Sequence, residues 1–407
     1  MEGIPVPAAP GVRPGRQPGS RGGTPHGKVA RVWGLRWLVR VCVLTVVMVA
    51  GTLVPAAPAS AETIQQQQWH LGALHMAEAQ RISTGTGVVV AVLDSGVQAD
   101  HPDLAGQVLE GTRINGRDDK GRTDVRGHGT GVAGLIAARG GGPDHALGIA
   151  PGAKILPVGV LPGVGFSELP RAIRWAVDHG AKVINISFGE NREIPEEIEA
   201  LHYAADHDVV VVAAGGNQDP DGDQVPWPAR VPGVVAVAAS DRAGVAWTHG
   251  VAGPQIVLSA PGVDIETTLN HQPDGRPGGY QHVSGGTSAS APIVAGVAAL
   301  VRAKFPQLPA ADVINRLIRT ADDAGAPGRD AQYGFGIVNP VKALTADVPP
   351  VSANPLLDGA RSASPSAAAP VGRRTGAPAL LLIVVLAAVG AVVVLVVTLV
   401  VVLARRR

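Results

Sequence analysis

The feature that most constrains this chain is a series of short, largely apolar runs, Val88–Leu93, Ile155–Val158, Val183–Ser187, Val209–Ala214 and Val234–Ala238. A strand with one wet face alternates apolar and polar residues, whereas a run apolar throughout is buried on both faces, as in a parallel sheet covered by helices. Stretches with helical spacing separate or follow the runs: Leu169–His179, ending at Gly180, residues 196–206, and Ala310–Ala321. Pro157 weakens the second run as a strand. The order predicts an α/β fold, a mostly parallel β-sheet with helices on both faces, closing near residues 338–344. Ahead of the first run, Trp69–Ile82 reads as one short helix and Gln65–Gln68 as a polar tract with neither period.

The two ends of the chain differ from this middle. Residues 1–40 are rich in Gly, Pro and Arg and read as unstructured; Arg31, Arg36 and Arg40 then precede the apolar run Val41–Val54, which ends in Ala59-Ser60-Ala61. That is a signal peptide with a long basic leader, predicted to be removed ahead of Glu62. The single cysteine, Cys42, falls in the removed part, so the mature protein is predicted to have neither disulfides nor thiol chemistry. Residues 346–378 are a Pro/Ala/Ser-rich linker, and residues 379–404 contain no charge. As a helix the latter would be about 39 Å long, enough to span a bilayer with tilt. The tail Arg405-Arg406-Arg407 places the C-terminus in the cytoplasm and the domain, residues 62–345, outside it. The ends carry +6 (1–61) and +4 (346–407) of a whole-chain charge of +1, which leaves −9 in the middle. An acidic middle excludes nucleic acid as a partner.

Chemistry-bearing residues gather at run ends. Asp94 closes the first run in Leu93-Asp94-Ser95-Gly96, where open α/β sheets build their sites. His128 opens a small-residue stretch, Gly127-His128-Gly129-Thr130-Gly131. Asn217 follows the fourth run in Gly215-Gly216-Asn217, and its amide could donate to a developing oxyanion. Gly285-Gly286-Thr287-Ser288 delivers a serine to the start of a helix predicted over Ala291–Val301, with Pro292 in its first turn. Singly, these read as a turn, a structural histidine, a left-handed asparagine and a helix cap. Together they give the order Asp…His…Ser, one of three known for serine protease triads. G-x-S-x-G is absent, since Ser288 is followed by Ala289-Ser290, and so is H-E-x-x-H, which removes the α/β-hydrolase and zinc-protease alternatives.

These segments, with His101-Pro102-Asp103-Leu104, Val183–Gly189 and Ala260-Pro261-Gly262 in order, resemble the subtilisin-like serine proteases, or subtilases, over Trp69–Leu344. The resemblance implies a subtilisin-like fold acting on protein or peptide substrates. It assigns Asp94 as the residue orienting His128, His128 as general base and Ser288 as nucleophile, with Asn217 and the Ser288 N–H as oxyanion hole. It also makes Ser187, Phe188 and Gly189 a substrate-pairing strand, with Ala213, Ala214 and Gly215 across the primary pocket, and it implies a cis peptide at Trp227-Pro228. A narrower similarity, in the leader, the Trp69–Gly85 lead-in, the Arg174–Gly180 stretch and the anchor, is to mycosins. Those are membrane-anchored subtilases associated with type VII secretion in actinobacteria, so a secretion complex is an implied partner.

The chain departs from the family at several points. Ala289 stands where many subtilases have Met, and no separate folding prodomain fits after Glu62. Cysteines that mycosins often carry are missing. The loop Arg139–His145 lacks the asparagine-bearing calcium loop, and Asp103 alone does not make a calcium site. No cofactor is expected for the chemistry, and structural calcium is not supported. The alternative function is a subtilase-fold scaffold in a secretion complex, with proteolysis incidental or lost; a scaffold has no need to keep Asp94, His128, Ser288 and Asn217.

Overall fold

The computed structural model describes residues 62–357, apart from residues 115, 117, 161–167, 219–221 and 272–276. The predicted signal peptide with Cys42, most of the linker, the predicted span 379–404 and the basic tail lie outside the described residues. Among the described residues no helix is long and apolar enough to cross a membrane.

The apolar runs form a seven-stranded sheet of β1 (Val89–Asp94), β2 (Thr112–Arg113), β3 (Lys154–Gly159), β4 (Val183–Ile186), β5 (Val210–Ala214), β6 (Val235–Ser240) and β7 (Ile256–Pro261). Their order is β2-β3-β1-β4-β5-β6-β7, parallel throughout. The chain leaves β1 first toward β3 and then returns past it to β4, so β1 is the switch point of the sheet and Asp94 lies at its C-terminal end. Pro157 does not break β3. Ile155 pairs with Gln107 and Leu109, so the residue two further on faces the same outer edge. The missing N–H of Pro157 therefore falls on the side where β2 is only two residues long, and the ladder to β1 stays whole.

The N-terminal lead-in differs from the sequence reading. The polar tract contains a short helix, α1 (Ile64–Gln67), closed by a reciprocal cap in which Gln66 N donates to Thr63 Oγ1 and Thr63 N to Gln66 Oε1. Trp69–Ile82 is two helices, α2 (Trp69–Ala73) and α3 (Met76–Ile82), broken where His75 takes a left-handed conformation at φ 52°.

Four helices cover the sheet: α4 (His128–Ala137), α5 (Leu169–Asp178), α6 (Pro195–Asp206) and α7 (Thr287–Lys304). α4 and α7 pack together, as do α5 and α6. Right-handed crossovers put the connection from β1 to β3 on the face opposite the connections from β3 to β4 and β4 to β5. Every residue of α7 from Ala289 to Arg302 is buried, which explains its small apolar composition. The helix starts at Thr287, four residues before the predicted start, so Pro292 lies inside it rather than in its first turn. A proline there removes the bond its N–H would make to the Ser288 carbonyl, while Ser290 Oγ caps the Thr287 carbonyl at 3.0 Å.

A hairpin not anticipated from the sequence, β8 (Ile265–His271) with β9 (Pro277–Val283), packs on α4. Two further helices, α8 (Ala310–Arg319) and α9 (Pro340–Thr345), complete the domain. Residues at the head of the predicted linker also lie on it: Val351 N donates to Asp312, Asn315 to the Pro349 carbonyl and Asn354 to the Gly233 carbonyl.

Candidate active site

Asp94 and His128 meet where β1 ends and α4 begins. His128 Nδ1–H donates to Asp94 Oδ1 at 2.8 Å, with Oδ2 at 3.0 Å. The carboxyl is 2 % exposed and also accepts from Ser95 N at 2.8 Å, so it is fixed in place and desolvated. The approach requires glycine on both sides of the ring. Gly127 has φ 83°, and a Cβ on Gly129 would lie 2.1 Å from the Gly96 carbonyl oxygen. The Asp94 charge raises the His128 pKa from 6.5 to about 9 against the opposing effect of burial, and the hydrogen bond and the Asp124 charge add to the rise.

Asp124 is a residue the sequence reading missed. Buried beneath the start of α4, it accepts from Gly127 N (2.8 Å), Arg126 N (2.9 Å), Thr130 N (2.7 Å) and Thr130 Oγ1 (2.6 Å). Ser95 Oγ, 2.7 Å from Asp124 Oδ1, accepts in turn from Gly129 N. An acid just ahead of a helix start was the available signal.

Ser288 is the second residue of α7, where backbone N–H groups have no acceptor within the helix. Asn217 Oδ1 accepts from Thr287 N and Thr287 Oγ1, both at 3.0 Å, which fixes the amide with Nδ2 turned away from Thr287. A methyl built on Gly286 would lie 3.3 Å from Ser288 Oγ, 3.7 Å from Asn217 Nδ2 and 3.9 Å from Ser288 N. A hydroxyl and two N–H donors thus face one small space that Gly286 leaves open. Ser288 Oγ makes no hydrogen bond among the described residues; catalytic hydrogen bonds are often absent before substrate tightens a site.

Next to Ser288 lies a cavity of about 210 Å³. Of the predicted substrate strands, Ser187, Phe188, Gly189 and Ala214 line it. Ala213 and Gly215 do not: Ala213 is fully buried in β5, and Gly215 packs on Ile256 and the Val237 carbonyl, while Gly216 takes the lining position.

The model of the subtilase family matches residues 85–336, well over half the chain. The chain belongs to the subtilase family. It is accordingly a serine protease of that type. It is 36 % identical over 318 residues to fervidolysin of Fervidobacterium pennivorans, covering 71 % of this chain but only 45 % of fervidolysin. It is 36 % identical over 261 residues to subtilisin of Bacillus pumilus, covering 63 % of this chain and 90 % of that protein. Among solved structures, MycP1 without its N-terminal propeptide superposes with a TM-score of 0.61 at 30 % identity, over 70 % of this chain and 98 % of that one. MycP3, a protease from the type VII (ESX-3) secretion system, gives 0.60 at 34 % identity, over 72 % and 90 %.

In this subtilase Trp227-Pro228 is cis. Ala289 packs with Leu135 and Ile265 under the nucleophile position. The fully buried Asp103 is bound by protein donors: His145 Nδ1 (2.5 Å), Ala146 N (2.8 Å) and Tyr280 OH (2.9 Å).

Proposed function

We propose that this subtilase is a membrane-tethered, extracytoplasmic serine endopeptidase that cleaves peptide bonds through an acyl-enzyme on Ser288. The Asp94–His128 pair is the observation that carries the reading. With Nδ1 donating to Asp94, the neutral ring presents Nε2 as the base that takes the Ser288 proton as Oγ attacks the scissile carbonyl. The developing oxyanion sits where Asn217 Nδ2 and Ser288 N converge, at the positive end of α7. His128, now protonated beside Asp94, gives the proton to the leaving amine. Water then enters by the same route in reverse and frees Ser288. A tether in residues 379–404 holds the domain at the outer face of the membrane, and the similarity to MycP1 and MycP3 supports a role beside a type VII secretion system.

Hydrolysis of an unfolded protein by the full-length protein in detergent tests the activity, with Ser288→Ala as control. Equal hydrolysis by the two proteins would remove Ser288 from the chemistry. For topology, a tag placed after Arg407 should resist protease added to intact cells; a tag cut from outside reverses the proposed orientation.

A further inference from the structure

Glu190 is the one charged residue lining the cavity beside Ser288 among the described residues. Its backbone is held by paired bonds with Trp227, 3.0 Å and 2.8 Å, so the residue keeps its place at the cavity wall. Its Oε1 is fully buried and lacks a hydrogen-bond partner. Close by, Glu197 in the first turn of α6 is 1 % exposed, and both of its carboxylate oxygens lack partners. Burial first, then the Glu190 charge, lifts the Glu197 pKa to about 7. Burial raises Glu190 as well, with the solvent-exposed Arg192 opposing.

One oxygen of the half-buried Glu190 and both oxygens of the buried Glu197 lack donors, a costly arrangement, because those atoms lose their hydration and each carboxyl penalises ionisation of the other. An ammonium or guanidinium group entering the cavity would give Glu190 charge-assisted hydrogen bonds and offset that repulsion. The cavity holds about 210 Å³, the room of one side chain rather than of a small-molecule ligand, which takes about 300–1,000 Å³. The side chain brought there in catalysis belongs to the residue whose carbonyl is attacked, since Ser288 itself lines the cavity. We propose that Glu190, backed by Glu197, makes this subtilase select substrates with lysine or arginine on the acyl side of the scissile bond. The inference rests on the endopeptidase reading above and adds its substrate class.

The test uses the full-length protein in detergent and four peptide p-nitroanilides that differ only in the residue before the anilide: Lys, Arg, Leu or Phe. Lys and Arg should exceed Leu and Phe in kcat/KM by about tenfold or more, and Glu190→Gln should lower the Lys-to-Leu ratio by about 10–100-fold, the range of one charge-assisted bond. Arg192→Ala, at an exposed position, should raise the ratio by removing a competing cation. A wild-type preference for Leu or Phe overturns the proposal whether or not the variants fold, and so does a ratio that Glu190→Gln leaves where it was. Reaction with a fluorophosphonate combined with an apolar preference overturns the specificity alone. Failure to react with a fluorophosphonate and to cleave any of the four peptides overturns the endopeptidase reading as well.

Discussion

Thr287→Val removes one oxygen and leaves the shape of the side chain nearly intact. In the native structure that oxygen donates to Asn217 Oδ1 at 3.0 Å and accepts from Gly216 N at 3.0 Å, while the Thr287 side chain is almost fully buried. The substitution leaves Thr287 N as the remaining anchor of the Asn217 amide. An oxyanion donor of this kind stabilises the transition state by about 2.7–4 kcal/mol, a figure set by subtilisin itself. Losing one of two anchors should forfeit about half of that, which is roughly 10–30-fold in kcat at 1.36 kcal/mol per decade. KM should change little, because the oxyanion forms only after substrate has bound. The Gly216 N–H loses its acceptor too, at about 1–3 kcal/mol of stability, so a lowered melting temperature is expected beside the rate effect. The assay is kcat on a peptide anilide, normalised to active sites counted by fluorophosphonate titration, with Thr287→Ser as the variant that restores the hydroxyl. Asn217→Ala sets the ceiling at about 10²–10³-fold. A Thr287→Val enzyme with full kcat, or a Thr287→Ser enzyme as slow as Thr287→Val, refutes the anchoring argument.

Three pH-dependent outcomes follow from groups the fold perturbs. The base must be neutral, and Asp94 holds the His128 pKa above 6.5, so kcat/KM should rise with pH through a midpoint above 6.5. Asp94→Asn should move that midpoint down and lower kcat by about 10⁴-fold; a midpoint that stays put assigns the limb to another group. Glu197 has a folded pKa of about 7 against 4.5, so its contribution is complete below 4.5 and is lost as pH rises toward 7, by about 3 kcal/mol at 1.36 kcal/mol per unit. Glu197→Gln should therefore gain melting temperature over wild type at pH 8 relative to pH 4.5; an equal difference at both contradicts a buried ionisable Glu197. His70 is fully buried with neither ring nitrogen hydrogen-bonded, and burial lowers its pKa from 6.5 to about 3. The unfolded chain takes up the proton first, so stability is complete above 6.5 and falls toward pH 3, by up to about 5 kcal/mol. Urea midpoints of His70→Leu should vary less with pH between 7 and 4 than those of wild type, and equal slopes would contradict the assignment.

The parallel sheet was legible because strands buried on both faces must be apolar throughout, as Val210–Ala214 and Val183–Ile186 are. The β8–β9 hairpin was not, because its buried residues are partly polar: the adjacent Thr267 and Thr268 are both sealed in by donating to the Gly131 and Thr130 carbonyls of α4. No apolar period marks such a strand. The helix around Pro292 is held by burial of Ala289–Arg302, which overrides local preference, and the left-handed turn at His75 has no local sequence signal. At the site, Asp94, His128, Asn217 and Ser288 stood out because each sits beside glycines at a run end. Thr287, Glu190 and Glu197 were silent, and Asp124 showed only as an acid ahead of a helix start, for a different reason. Their roles depend on which segments meet, as when Glu190 is fixed by Trp227, 37 positions along the chain.

The central claim is that Ser288 is a nucleophile activated by the Asp94–His128 pair. Its most direct test is to react the full-length protein with a fluorophosphonate and locate the adduct by peptide mass mapping, in wild type, Ser288→Ala and His128→Ala. The account predicts one adduct, on Ser288, absent from Ser288→Ala and formed far more slowly in His128→Ala. A folded wild-type protein that carries no adduct, or one modified on a different serine, contradicts it.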